Sequence, residues 1–99
     1  MQKKLLRDAI VKVANEQVSC NLAGEAVILH LKSGQYFGLN EIGARIWDLI
    51  QEPKTVSAVF EAILHEYDVT PNQLEGDLLA LLEKMAINEL IEVKNGQAS

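Results

Sequence analysis

Two small turn dipeptides, Ala23-Gly24 and Ser33-Gly34, sit ten residues apart, each between short apolar runs. Glycine accepts positive φ without penalty, so both are places where a chain can reverse tightly. The flanking runs are too short for helices and carry the strand period. In "IVKVANEQVSCNL", Val18, Cys20 and Leu22 fall on one face; in "EAVILHLK", Val27, Leu29 and Leu31 alternate with Ala26, Ile28 and His30. The second run is apolar on both sides, as a central strand is. With "QYFGL" as the third strand, the segment predicts an antiparallel meander.

After Leu39 the period changes. Asn40 is an N-cap residue and Glu41 suits the positive end of a helix dipole. Ile42, Ile46, Leu49 and Ile50 recur at helical spacing with Trp47 on the flank, and Pro53 ends the run. Thr55 opens a second helix with a stripe from Val56 to Tyr67. Thr70-Pro71-Asn72-Gln73 reads as a capping box with Pro in the first turn, starting a third helix that runs to about Asn88, where Asn takes the left-handed C-cap. "LIEVK" closes the chain as a short strand; if it pairs with the first strand, "QYFGL" is left as the open edge. The order β-β-β-α-α-α-β predicts an α+β domain: a three-stranded antiparallel sheet, three helices in a winged helix-turn-helix-like arrangement, and a short C-terminal strand. At 99 residues, the chain is expected to form one domain, 1–99.

Composition narrows the function. With 48% hydrophobic and 23% charged residues the chain is expected to be globular, and its one cysteine, Cys20, rules out an internal disulfide. No run reaches the length of a signal peptide or a membrane span, so the expected compartment is the cytoplasm. Net charge is −5; residues 1–12 carry +3 and the rest −8. Such an acidic body repels phosphate backbones.

No catalytic or metal constellation emerges, and no cofactor is expected. Cys20 reads as a small core residue, His30 as part of a buried strand, and His65 as helix surface; none has an orienting partner for nucleophilic work. The carboxylates Glu61, Glu66, Glu75, Asp77, Glu83 and Glu89 are scattered over helix faces rather than set at ligand spacing. Gly34 and Gly38 lack the fingerprint of a phosphate loop. DNA binding through the winged-helix shape is disfavoured as well. Residues 71–88 carry Glu75, Asp77 and Glu83 against Lys84, a net of −2 on the supposed recognition helix.

Two features exceed an ordinary core. On a wheel of about 100° per residue, the apolar arc of the third helix, from Leu81 to Leu79, covers roughly 160°. Either neighbours on two sides bury all of it, or part of it lines a groove. The other is the edge strand "QYFGL", which has no Lys, Pro or bulge to protect unpaired backbone groups. An open edge beside an apolar helix face can take up an extended peptide, with the ladder providing affinity and the groove sequence choice.

The stretches "GEAVILHLKSGQYFGLNEIGARIWDLI", "TVSAVFEAILHEYDV", "DLLALLEKM" and "LIEV" closely resemble the PqqD family, the recognition elements of ribosomally made, post-translationally modified peptides (RiPPs). The likeness runs from about Val18 to Val93. It implies a non-catalytic protein that takes a precursor's leader as an added strand on "QYFGL", with leader side chains against the third helix. Carried over by position, the binding residues are Gln35, Tyr36, Phe37, Gly38 and Leu39 on the strand and Leu74, Asp77, Leu78 and Leu81 on the helix, with Asp77 facing a basic leader residue or capping the groove. Tyr36-Phe37-Gly38-Leu39-Asn40 is closer in wording to stand-alone leader-binding proteins of lasso-peptide biosynthesis, which serve a separate leader protease. The alternative is a PqqD-type chaperone presenting a precursor to a radical S-adenosylmethionine enzyme.

Overall fold

The computed structural model describes residues 7–94. Its elements are β1 (Ile10–Val13), β2 (Gln17–Leu22), β3 (Glu25–His30), β4 (Gln35–Leu39), α1 (Glu41–Leu49), β5 (Lys54–Thr55), α2 (Val56–Glu66), α3 (Pro71–Ile87) and β6 (Ile91–Lys94). The fold is α+β, with a β2-β3-β4 meander, three helices and a C-terminal strand.

The expected first strand is in fact two. Ala14–Glu16 separate β1 from β2, and β1 leaves the meander to form a second sheet of order β5-β1-β6. The C-terminal strand therefore pairs with β1, Val13 opposite Ile91, and not with the meander. Both β2 and β4 are consequently edges. Ala23 and Gly24 have φ of +53° and +86°, which suits a two-residue hairpin whose twist matches that of the strands.

The core sits between the inner face of the meander and the helices. Ala26, Ile28 and His30 are buried there, and His30 Nδ1 lies 2.9 Å from Ser33 Oγ, so this buried imidazole is bonded to its own turn. The expected burial of Val18, Cys20 and Leu22 is overturned. Cys20 is exposed, and Val18 and Leu22 are 54% and 59% exposed. Among the described residues no helix covers that face of the sheet, so alternation alone misassigned its inside.

Two helix ends follow expectation: Asn40 Oδ1 accepts from Gly43 N–H at 2.9 Å, and Thr55 Oγ1 accepts from Ala58 N–H at 3.0 Å. The capping box does not form. Thr70 makes no side-chain cap, and Gln73 Nε2 donates to Asp77 one turn on, at 3.2 and 3.3 Å. At the other end of α3, Asn88 keeps a negative φ of −89° and Glu89 takes the left-handed conformation, at +62°. Any Cβ there is strained by about 1 kcal/mol. Glu89→Gly should therefore raise the melting temperature by a few degrees, measured by circular dichroism.

Arg45 of α1 grips Glu66 of α2 in a bidentate pair at 2.8 and 2.9 Å. Hydrogen bonding from Arg45 holds the Glu66 carboxyl below the usual range and raises Arg45 in turn. Because the folded pKa of Glu66 lies below its unfolded value, the pair's contribution is complete above the unfolded pKa and is lost as pH falls through the folded one. An NMR titration should place Glu66 below an ordinary glutamate, and Arg45→Ala should return it upward.

Candidate functional site

In an antiparallel ladder, opposed pairs alternate between those that exchange two hydrogen bonds and those that exchange none. Leu31 N–H donates to the Glu16 carbonyl at 3.0 Å, and the hairpin turn closes on Leu22 opposite Glu25. The odd-numbered residues of β3 therefore aim their backbone groups at β2. Its even-numbered residues Ala26, Ile28 and His30 aim theirs at Leu39, Phe37 and Gln35 of β4. Tyr36 and Gly38 are left with N–H and C=O turned to the open edge. Pleating places the side chains of Phe37 and Leu39 on the helix side and that of Tyr36 on the other face.

Beside this edge run two adjoining hollows. One, of about 330 Å³, lies between the end of β4, the first turns of α1 and the N-terminal half of α3; its walls include Leu39, Leu74, Leu78 and Leu81, with Asp77 and Gln73 among the polar groups. The other, of about 200 Å³, continues along β4 past Tyr36 and Phe37 to Met85, Leu90 and Lys84. Gly38, Leu39 and Leu81 border both, so the two form one trough parallel to the strand. Its end near the start of α3 carries the Asp77 carboxylate and its far end the Lys84 ammonium, an electrostatic direction along an apolar floor.

Of the nine residues expected at a site, eight border the trough. Gln35 lies at the start of β4 opposite His30, beyond both hollows. Leu74 and Leu78 serve twice, since each is buried in the core at 4% and 2% exposure yet contributes to the wall. Ile42, Ile46 and Val69 also line the first hollow, and Lys84 and Met85 the second. Sequence reasoning took Ile42 and Ile46 as an ordinary core stripe, because a helix face turned half to the core and half to a groove has one apolar pattern. Gly43 lets α1 start close against β4; a Cβ there would meet Leu39 and Asn40 at 3.3 Å.

Residues 25–91 match the family model described as coenzyme PQQ synthesis protein D (PqqD). The chain belongs to the PqqD family. The match contains β3, β4 and all of α3, hence every wall of the trough. Among solved structures, the chain resembles TbiB1 in complex with the TbiA(beta) leader peptide at 40% identity and a TM-score of 0.75, covering 89% of this chain and 99% of that one. No curated protein sequence matches the chain. Among the described residues no helix is long and apolar enough to cross a membrane, and no three His, Cys, Asp or Glu side chains gather as a metal site would need.

Proposed function

We propose that this PqqD-family chain is a single, non-catalytic peptide-recognition domain. It captures the leader of a ribosomally made precursor peptide as a fourth strand on β4 and presents it to a separate leader protease, as in lasso-peptide biosynthesis. The observation that carries this reading is the pairing of outward backbone groups at Tyr36 and Gly38 with an apolar trough directly beside them. TbiB1, a structure of the same fold at 40% identity, holds a leader peptide, which supports it further. Alternate leader side chains would enter the trough, and a basic leader residue would lie toward Asp77.

Fluorescence anisotropy with a labelled cognate leader tests the capture, and mass spectrometry of the precursor incubated with this protein alone should show no mass change. The acidic face of α3 makes a second expectation. A random DNA duplex at physiological salt should give no mobility shift, where even non-specific binders show a Kd of about 10⁻⁴–10⁻⁶ M. A shift that weakened steeply with salt would favour the winged-helix reading instead.

A further inference from the structure

The meander has a second open edge, β2, and nothing guards it. Among the described residues no strand pairs on its far side. Gln17 is half-buried and the five residues after it are exposed, on the side where the helices lie as well as on the outer face. The sequence QVSCNL holds no charge and no proline, and its ladder to β3 runs without a bulge from Gln17 opposite His30 to Leu22 opposite Glu25. Charge, proline and bulges are the devices that keep an edge from pairing. Because Val18, Cys20 and Leu22 exchange their backbone bonds with β3, Gln17, Ser19 and Asn21 turn N–H and C=O to the free edge.

We propose that this edge pairs with β2 of a second copy about a two-fold axis at Cys20, joining two meanders into one six-stranded sheet. In a two-fold contact, if residue i meets residue j, then j meets i. Antiparallel bonding also needs outward groups opposite outward groups, so odd-numbered residues must face odd-numbered ones. Two such registers pair five residues of β2. The register centred on Ser19 sets Leu22 opposite the charged Glu16 of the second copy. The register centred on Cys20 sets Val18 opposite Leu22 and Cys20 opposite Cys20 on the outer face, and Ser19 opposite Asn21 on the inner one. Apolar side chains then meet apolar ones, polar meet polar, and Glu16 falls opposite Gly24. The same six residues supply both halves of the match, which is why the occupant is the chain itself.

The pairing gives Val18 and Leu22, 54% and 59% exposed in the single chain, apolar neighbours across the seam. Ser19 and Asn21 are exposed on the inner side, so the helices stop short of the seam and leave room for a second copy. Both β4 strands end up at the outer ends of the sheet, five strand spacings or about 24 Å apart. Both troughs stay open, on one side of the sheet, whatever they bind. A single-strand seam is small beside the roughly 800 Å² per partner of a standard interface, and copies at −5 each repel. The dimer is therefore weak, with a Kd on the order of 10⁻⁵–10⁻⁴ M.

Sedimentation velocity of the full chain, from about 1 µM to about 1 mM, should show monomer passing to dimer. Ser19→Pro removes an outward N–H, and Cys20→Lys sets two ammonium groups face to face at the axis. Both change exposed positions, so each should keep the parental circular dichroism spectrum and lose at least about tenfold in dimer affinity. Gly38→Pro, on the opposite edge, should leave the dimer intact. The proposed register makes the two Cys20 a non-hydrogen-bonded pair with Cα atoms about 4.5 Å apart, within disulfide reach. Mild oxidation with diamide should therefore cross-link the parent at least about tenfold faster than Ser19→Cys/Cys20→Ser, whose thiol lies one residue along the same exposed strand. A chain that stays monomeric to about 1 mM would overturn the proposal. So would a dimer that survives both Ser19→Pro and Cys20→Lys, a dimer lost in Gly38→Pro, or equal cross-linking from the two thiol positions.

Discussion

Leu81→Asp should weaken peptide capture by more than an order of magnitude, roughly thirtyfold, while leaving the protein folded. Leu81 is only partly buried, packs against the core from its margin and borders both hollows of the trough. In the free protein the new carboxylate can reach water. With a leader strand laid over it, the carboxylate must either lose that water or hold the peptide away. The expected loss is about 2 kcal/mol or more, roughly thirtyfold in affinity. The contrast is its neighbour. Leu82 is fully buried, so Leu82→Ala should cost about 2–5 kcal/mol of stability through the cavity it leaves, with far less effect on the affinity of the molecules that remain folded. Glu61→Ala, on the exposed side of α2, should change neither. Thermal melts by circular dichroism and leader anisotropy on the same samples separate the two effects. Leu81→Asp binding like the parent would remove the trough from the peptide site.

Gly38→Pro should be the second large effect, and it isolates the ladder from the trough. The Gly38 N–H faces the open edge, so its loss leaves no partner inside the protein unsatisfied, and a Cβ at this position meets nothing within 4 Å. Phe37 before it is already extended, as a residue preceding proline must be. The free protein should therefore fold. The leader, however, loses a ladder bond worth about 0.5–1.5 kcal/mol and meets the pyrrolidine ring where its backbone would lie, so affinity should fall by at least about tenfold. Phe37→Pro fails differently. Its N–H points at Ile28 within the meander, so the variant should lose about 1–3 kcal/mol of stability, visible as a lower melting temperature in the absence of any peptide. Gly38→Ala retains the N–H and should bind like the parent. If Gly38→Pro folds and binds leader normally, strand addition at β4 is wrong.

The local elements were legible because local chemistry decides them. Asn40 and Thr55 cap their helices as their side chains allow, Ala23-Gly24 makes the hairpin, and the shift from a period of two to 3.6 at Asn40 marks the change from strands to helices. Where two local solutions compete, the sequence was misleading. Gln73 can complete a capping box or bond Asp77, and it bonds Asp77. Asn88 and Glu89 can each take the left-handed turn, and Glu89 takes it, against its own preference, because Leu90 and Ile91 must then enter the core and meet β1.

Pairing and sidedness belong to the tertiary structure. The alternation of Val18, Cys20 and Leu22 fixes that these residues share a face but carries no sign for which face is inward; the sign comes from where the helices pack, and they pack on Ala26 and Ile28. The partner of β6 is likewise set by the break at Ala14–Glu16, which carries β1 out of the meander and β6 with it. By itself the sequence determined that "QYFGL" is an unprotected strand and that α3 is apolar over more than one stripe. Only the packed structure decided that the two lie side by side, with Tyr36 and Gly38 offering their backbone outward, because that depends on the register of β3 on β4 and on where α1 sets the chain down before α3 begins.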